Sequence, residues 1–295
     1  MTGARMGVKD GTSSFRVVLS RQLETASRQL AASCYPIWKN TRSLFVLSTG
    51  RTGTETLMHL LALSPEIDAF HEPNPQLMME RKRARIEVHS DPQKYRRIFA
   101  HARSRSLLRS NLRSRVYAET SARLTFFAPV IADMLPEARF VYIHRHPAEV
   151  VRSGMRRGWY VNHPADFARI EPGPAEMSRA EWEALDPFDK ICWYWNAYNE
   201  FSLDFVRSLA PSRVLSLNAR EVFDGSSVDA IFGMLGVPVP PAADVERVLA
   251  QKHNAQRKAD FPRYESWTPE QKERLFRYAG ATMERLGYAE TIEAD

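Results

Sequence analysis

The segment LSTGRTGTETL, residues 47–57, contains two glycines and five hydroxyl side chains around one arginine. It follows an apolar run over 44–48 that has the length of a buried strand, and leucines recur at helical spacing over 54–63 behind it. A strand, a tight glycine loop and a helix form the first unit of a parallel α/β sheet. The backbone N–H groups of such a loop, together with the helix dipole, favour binding of a phosphate or sulfate.

Strands and helices continue to alternate along the chain. Further strands are predicted over 67–71, 115–120, 138–147 and 213–217, and helices begin at Pro147, cover 187–209, and end near Gly236. Thr268, Pro269, Gln271 and Gly287 mark the two ends of a last helix. The sequence therefore predicts an α/β fold with a central parallel sheet flanked by helices.

The domain organisation follows from the same pattern. Residues 1–40 are predicted to form an N-terminal helical extension, and residues 41–295 the main domain. Two stretches near 75–115 and 160–187 are longer than ordinary connections, so we expect insertions or partly helical flaps close to the site.

Composition limits the class of protein. The formal net charge of +6 and the isoelectric point near 9.4 indicate anionic partners, although such a charge also promotes solubility. The basic residues are mostly arginine, as a GC-rich genome would also produce, and no basic recognition helix is evident, so nucleic acid is not an expected partner. Cys34 and Cys192 lie far apart and form no metal-ligand pattern, so neither a disulfide framework nor a metal site is expected.

The location of the protein is predicted from what precedes the first strand. The sequence has neither a signal peptide nor an apolar run of about 20 residues, which predicts a cytoplasmic protein. Phe15, Val18, Leu19 and Leu23 recur at helical spacing between arginines, a pattern that allows peripheral contact with a membrane surface. Packing of this helix against the main domain is the interpretation we prefer. No part of the sequence points to a particular oligomeric state.

The loop itself offers several ligand contacts. Thr52, Thr54 and Thr56 can donate hydrogen bonds, and Arg51 can stabilise charge on a transferred group. No Gly-Lys-Ser/Thr sequence follows Gly53, and Glu55 brings a negative charge to the loop, so hydrolysis of ATP or GTP is not favoured. The alternative is a strand-to-helix turn that uses its glycines only for tightness.

A second motif extends the first. FVYIHRHPAEVVRSGMRRGWY, residues 140–160, places Arg145 directly after a predicted strand and Ser153 in the following helix. Together with STGRTGT at 48–54, it resembles the sulfotransferase family that uses 3′-phosphoadenosine 5′-phosphosulfate (PAPS). VYAETS at 116–121 and MERLGY at 283–288 are similar to bacterial and carbohydrate-type members. The resemblance implies a P-loop NTPase-like sulfotransferase fold and is clear over about 44–160.

The resemblance also assigns nucleotide contacts. It implies that the first loop holds the 5′-phosphosulfate and that Arg145 and Ser153 hold the 3′-phosphate. The loop positions that carry over are Arg51, Thr52, Gly53, Thr54, Glu55 and Thr56. Arg257 and Lys258 match a basic pair in a C-terminal loop that closes over the nucleotide, although Ala259 replaces its glycine and a solvated charged loop is an equal alternative.

Two positions depart from the family pattern. His146 stands where the family usually has an aspartate, and we expect it to alter only the local strand packing. Glu55 replaces a hydroxyl or small residue, which leaves the individual loop contacts open.

An acceptor hydroxyl needs a base, and FHEP at 70–73 lies just beyond the second predicted strand. Similar "EP" elements in sugar-modifying members favour Glu72 as the base, with His71 as the alternative because imidazole titrates near neutral pH. For Glu119 an ion pair with a nearby arginine is the preferred interpretation. Trp193, Trp195 and Tyr198 are expected in the core rather than on a sugar or adenine ring.

The arginines near 80–115 allow two interpretations. They could bind an anionic acceptor or form a solvated helical face: Arg103, Arg105, Arg109, Arg113 and Arg115.

The resulting hypothesis is transfer of a sulfuryl group from PAPS to a hydroxyl of a carbohydrate or small natural product. Because the leaving phosphate is already a stable anion, no metal is required. The alternatives are a P-loop kinase that transfers phosphate from ATP, and a non-catalytic protein that binds nucleotides or polyanions.

Overall fold

The structure is a computed structural model that describes residues 24–251 and 260–288. Its centre is a five-stranded sheet in the order β2-β3-β1-β4-β5, in which every neighbouring pair is parallel. The strands are β1 (Ser43–Ser48), β2 (Ile67–Phe70), β3 (Val116–Glu119), β4 (Ala138–His144) and β5 (Val214–Asn218). The predicted α/β fold with a parallel sheet is therefore confirmed.

Helices cover both faces of this sheet. In chain order they are α1 (24–33 within the described residues), α2 (Tyr35–Trp38), α3 (Thr54–Leu61), α4 (Met78–Glu87), α5 (Pro92–Leu112), α6 (Ala128–Met134), α7 (Pro147–Met155), α8 (Arg179–Ala184), α9 (Pro187–Arg207), α10 (Ala219–Phe223), α11 (Val228–Leu235), α12 (Ala242–Leu249) and α13 (Pro269–Arg285). Short 3₁₀ helices lie at Ala122–Phe127, Asp166–Ala168, Pro211–Arg213 and Tyr264–Ser266.

The two faces of the sheet are packed differently. Successive side chains of a strand point to opposite faces. Phe45 of β1 therefore lies in an aromatic core with Tyr117 and Phe140, beneath α5, α9 and α13. Leu44 and Val141 lie in a smaller aliphatic core beneath α3 and α11. Both faces are covered, as expected for a parallel sheet.

The segment 75–115 contains α4 and α5, which connect β2 to the neighbouring strand β3. Neighbouring parallel strands need such a crossover, usually helical. Helix α5 packs against β3 and α2. The segment is therefore helical and forms part of the sheet's own connectivity, and Met78 and Arg81 of α4 line the cavity described below.

The predicted ends of the last helix are confirmed. Thr268 and Gln271 form a reciprocal capping box that spans Pro269, the first residue of the helix, and Gly287 follows the helix with a φ of 73°.

The N-terminal extension is described only from residue 24, so the apolar pattern over 15–23 lies outside the described residues. Within the described part, the Trp38 side chain is fully buried and α2 packs against α5. No helix of the described residues combines the length and the hydrophobicity needed to cross a bilayer.

Candidate active site

A cavity of about 290 Å³ lies at the edge of the sheet where the strands end. The carboxyl ends of parallel strands meet at one edge, and ligands bind there in open α/β sheets. The β1–α3 loop, His71 and Glu72 after β2, Arg123 after β3, and Arg145 after β4 all line this cavity. The topology thus brings the predicted loop, base and 3′-phosphate arginine together.

The backbone of the β1–α3 loop is left-handed at three positions. Gly50, Arg51 and Gly53 have φ values of 75°, 63° and 87°. A Cβ atom on Gly53 would lie 3.0 Å from Phe223 Cε1 and 3.2 Å from Val222 Cγ1, so this position requires glycine for its φ and for space. Arg51 adopts the unfavourable conformation with a full side chain, which is typical of functional loops.

Hydrogen bonds inside the loop fix its shape. Ser48 Oγ accepts from the backbone N–H of Gly50 at 2.8 Å and from Thr52 Oγ1 at 3.0 Å. Tyr194 of α9 donates from its hydroxyl to the Thr49 carbonyl at 2.8 Å. Thr52 is fully buried in this network and does not line the cavity, so its predicted side-chain contact with a ligand is not formed in this structure.

The other predicted loop residues face the ligand space. Those that line the cavity are Arg51, Gly53, Thr54, Glu55 and Thr56.

Arg51 connects the two predicted halves of the nucleotide site. Its Nε donates to Ser153 Oγ at 3.2 Å, and its carbonyl oxygen accepts from Arg145 Nη1 at 2.7 Å. Arg145 is held in place by Glu149, which accepts from its Nε at 2.8 Å, and by Trp195 Nε1, which donates to its carbonyl at 2.9 Å. Residues of the two motifs at 48–54 and 140–160 are therefore joined by hydrogen bonds into one cluster.

The electrostatic environment of Arg51 is cationic. Burial and then the neighbouring Arg157 and Arg145 lower the pKa of Arg51 to about 10, against the opposing effect of Glu55 and Glu72. The guanidinium stays charged at neutral pH. A bound anion would relieve the repulsion among these arginines.

His71 and Glu72 lie side by side on the cavity wall with different partners. The Nδ1 atom of His71 lies 2.9 Å from the Thr120 carbonyl oxygen. The same nitrogen lies 3.1 Å from Thr120 Oγ1. In a neutral ring that donates from Nδ1 to the carbonyl, Nε2 would be the atom able to accept a proton. Glu72 has a φ of 44°, and its Oε2 lies 2.6 Å from Arg123 Nη2. Both side chains are thus held in place.

The structure corrects the expectation for His146. Its Nδ1 accepts from the backbone N–H of Ala148 at 3.2 Å, so the imidazole caps helix α7 as an aspartate would. Burial lowers its pKa, against the effect of Glu149, and this keeps the ring neutral and able to accept. His146 therefore acts on the helix that carries Ser153 rather than on strand packing.

The arginines of α5 do not belong to the cavity. Arg103 is buried in a two-point ion pair with Glu119, with distances of 2.6 and 2.9 Å, which confirms the structural interpretation of Glu119. Arg115 pairs with Asp68 at 3.0 Å. None of the five arginines proposed from the sequence, all of them described, lines the cavity: Arg103, Arg105, Arg109, Arg113 and Arg115.

Several lining residues were missed by sequence reasoning. Phe223 contributes a ring that is 43% exposed and lies 5.4 Å from the Arg145 guanidinium. Tyr194 also lines the cavity, although the sequence analysis considered only the neighbouring aromatic residues. Of those neighbours, Trp195 and Tyr198 are fully buried, as expected. Five further basic residues line the cavity: Arg81, Arg123, Arg157, His163 and Arg169. They are far apart in sequence, and no local pattern distinguishes most of them.

Part of the segment 160–187 lines the cavity. His163, Ala165 and Arg169 line the cavity next to the short 3₁₀ helix Asp166–Ala168. Arg257 and Lys258 lie outside the described residues. Among the residues that the structure describes, no group of three or more His, Cys, Asp or Glu side chains is placed to hold a metal ion.

Comparison with solved structures finds several sulfotransferases. The sulfotransferase STF9 from Mycobacterium avium is 13% identical with a TM-score of 0.49, over 83% of this chain and 76% of that one. A sulfotransferase domain from the curacin biosynthetic pathway is 15% identical with a TM-score of 0.47, over 72% of this chain and 79% of that one. A sulfotransferase from Alicyclobacillus acidocaldarius is 16% identical with a TM-score of 0.44, over 87% of this chain and 97% of that one.

A search of curated proteins finds no significant match. A sequence profile described as "Sulfotransferase family" matches residues 43–190, half of the chain, and this range contains the loop, both base candidates, Arg145 and Ser153. The chain belongs to the sulfotransferase family.

Proposed function

We propose that the protein transfers the sulfuryl group of PAPS to a hydroxyl of a carbohydrate or a small natural product. The observation that carries this proposal is the bonded cluster in which Arg51 contacts both Ser153 and Arg145 beside His71 and Glu72. In this proposal, one cationic cluster binds both the 5′-phosphosulfate and the 3′-phosphate of the nucleotide. The two base candidates lie on the wall of the same cavity.

The cluster implies one orientation of the bound PAPS. The 5′-phosphosulfate meets the loop amides and the N-terminus of α3, with Thr54 and Thr56 as further contacts. The 3′-phosphate meets Arg145 and Ser153. The exposed ring of Phe223 next to Arg145 offers a flat surface for adenine. Arg257 and Lys258 remain the proposed closing pair.

The reaction is an in-line displacement at sulfur. The acceptor oxygen forms a bond to sulfur as the bond from sulfur to the bridging oxygen of the 5′-phosphate breaks, and the acceptor proton goes to the base. Arg51 stabilises the charge that grows on the bridging oxygen. Positioning and charge stabilisation provide most of the catalysis, much as in phosphoryl transfer.

Glu72 is our proposed base. Its ion pair with Arg123 fixes the carboxylate through Oε2, and Oε1 is left as the atom that can take the proton. His71 is the alternative, because Thr120 holds its Nδ1 and a neutral ring with its proton on Nδ1 would offer Nε2 as the base.

Nucleotide selectivity tests the donor assignment. Purified protein is titrated with 3′-phosphoadenosine 5′-phosphate (PAP), 5′-AMP and Mg·ATP while the melting temperature Tm is recorded. A ligand that binds only the native state raises Tm. We expect a shift selective for PAP. A larger shift with Mg·ATP, or none with PAP, would contradict the donor site, and PAP binding without any turnover of PAPS would favour the non-catalytic alternative.

Matched variants test the base. Glu72→Gln retains an acceptor for Arg123 but loses the carboxylate charge, whereas His71→Asn retains a donor towards the Thr120 carbonyl but loses Nε2. We expect Glu72→Gln to lower kcat by about 10²- to 10⁴-fold, the usual contribution of general base catalysis, with PAP affinity unchanged. If Glu72→Gln keeps its turnover and His71→Asn loses it, His71 is the base.

A further inference from the structure

The cavity contains a second group of arginines that the donor assignment does not use. Arg81 comes from α4, Arg123 from the 3₁₀ helix after β3, and Arg169 from the segment after the 3₁₀ helix Asp166–Ala168. We refer to these three residues as the second arginine group. Helix α4 packs against both of these 3₁₀ helices, which brings three distant parts of the sequence to one wall.

Two members of the second arginine group lie near the proposed base, since Arg123 pairs with Glu72 and the charge of Glu72 also acts on Arg81. Arg123 pairs with Glu72 through Nη2 at 2.6 Å. Arg81 Nη2 donates to the carbonyl of Ala168 at 2.6 Å, directly before Arg169. Arg51, by contrast, is bonded to Ser153 and Arg145.

The positive charge of this group is only partly compensated. Arg81 Nε and Arg123 Nη1 are buried and have no hydrogen-bond partner in the part of the chain that the structure describes. Such buried donors are normally paired. Burial lowers the pKa of Arg123, and the charge of Arg81 lowers it further, against the effect of Glu72.

Arg169 is held rigidly in the same wall. It is 5% exposed, its guanidinium carbon lies 4.1 Å from the centre of the Trp159 ring, and its Nε donates to Asp166 Oδ1 at 2.8 Å. Two carboxylates, Glu72 and Asp166, therefore face three guanidinium groups. A fixed arrangement of this kind suits an anion with several acceptor oxygens.

We propose that the second arginine group binds an oxyanion carried by the acceptor, so that the acceptor is an alcohol bearing a phosphate, sulfate or carboxylate group. This inference rests on the proposed function. Binding of the oxyanion places negative charge beside three guanidinium groups that only two carboxylates compensate, and it draws the hydroxyl towards Glu72. Neutral sugars and simple alcohols would lack this anchor.

The test uses the full-length protein saturated with PAP, so that the donor site is filled. Sodium phosphate, sulfate and acetate are added separately, and sodium chloride at equal ionic strength is the control. We expect a saturable rise in Tm with at least one oxyanion above the chloride response, and the effective anion identifies the group on the acceptor. If no oxyanion exceeds chloride, the proposal is wrong.

Variants then locate the binding site. Arg123→Gln and Arg81→Gln should weaken binding of the effective oxyanion by about tenfold or more, as expected when a charged hydrogen bond is lost. Arg105→Gln is the matched control, because Arg105 is exposed on α5 and lies outside the cavity. If Arg81→Gln does not fold, Arg81→Lys takes its place. The lysine retains the charge, so this variant should bind the oxyanion with an affinity between that of the unchanged protein and that expected for Arg81→Gln.

The affinity for PAP separates the two proposals. If PAP fails to bind the unchanged protein, the donor assignment itself is wrong. If PAP binds, but Arg81→Gln and Arg123→Gln lower PAP affinity as much as oxyanion affinity, these arginines belong to the donor site and the acceptor proposal is overturned. Retention of full oxyanion binding in both variants would overturn it as well.

Discussion

Gly53 is the position at which the β1–α3 loop tolerates least change. Gly53→Ala would place a Cβ 3.0 Å from Phe223 on a backbone with a φ of 87°. We expect a loss of about 1–3 kcal/mol in the free energy of unfolding, from left-handed strain and crowding, together with weaker PAP binding. Urea unfolding and a PAP titration measure both effects.

Gly233→Ala provides a control of opposite sign. Gly233 is exposed in helix α11, and a Cβ there would meet nothing within 4 Å. Alanine in a helix interior should stabilise the protein by about 0.5–1 kcal/mol. If both substitutions had the same small effect, the described loop conformation would be contradicted.

Arg145 is predicted to determine selectivity for the 3′-phosphate. Arg145→Ala removes the guanidinium that also bonds to the Arg51 carbonyl, so some loss of 5′-AMP binding is expected. PAP binding should fall further, by about 1–3 kcal/mol for the lost charged hydrogen bond. Isothermal titration with both nucleotides measures the difference. The control is Arg207→Ala, an exposed position on α9.

An equal loss of PAP and 5′-AMP binding would assign Arg145 to the loop alone. Ser153→Ala tests the same 3′-phosphate site from the other side, since Ser153 Oγ accepts from Arg51 Nε. A selective loss of PAP binding in both variants would support the assignment.

Helix α7 carries Ser153, and His146 stabilises the start of this helix. Its N-terminus follows β4 directly, its N-cap is His146, and it carries Ser153 in its interior. The ring of His146 also contacts Tyr264 and Tyr288, with ring centres 5.5 and 5.2 Å away. The helix start thus depends on a hydrogen bond and on aromatic packing.

Two substitutions at His146 separate these contributions. His146→Ala loses both, whereas His146→Asp loses the ring contacts but restores a side-chain cap. We expect the aspartate variant to be more stable by about 1 kcal/mol, because a carboxylate caps a helix well and alanine does not. Urea unfolding of the two variants gives the difference. Equal stability would mean that the cap contributes little and that ring packing matters most.

The histidines predict how the stability of the protein depends on pH. Burial lowers the pKa of His144, His146 and His163 below 6.5, with Arg169 adding to the effect at His163. The unfolded chain therefore binds more protons than the native protein between the lowered values and 6.5. In that window the free energy of unfolding falls as the pH falls.

Urea unfolding between pH 7.5 and 5 measures this dependence. We expect stability to decline once the pH drops below about 6.5, the unperturbed histidine pKa, and before carboxylates begin to protonate near pH 4. Stability that stays constant down to pH 5 would contradict the neutral, partly buried state of these three side chains.

Much of the fold was predictable because its signals are local. The strand, glycine loop and helix over 44–61, the cap at Thr268 and the end of α13 at Gly287 depend on residues within a turn or two of each other. Hydrophobic periodicity and capping act over that range. The loop at 48–54 and the residues Arg145 and Ser153 also lie within short motifs, so the sequence alone can propose them as a nucleotide site.

The rest depends on which strands are neighbours. The order β2-β3-β1-β4-β5 brings Glu72 beside Arg123 and makes 75–115 a crossover, and no local pattern contains that order. Tertiary packing also buried Arg103 on Glu119 and gathered Arg81, Arg123 and Arg169 on one wall. The sequence by itself determined the strands, the helices and the two motifs at 48–54 and 140–160, through contacts between residues close in the chain. Only the tertiary structure decided which distant charges meet, because that depends on strand order and helix packing.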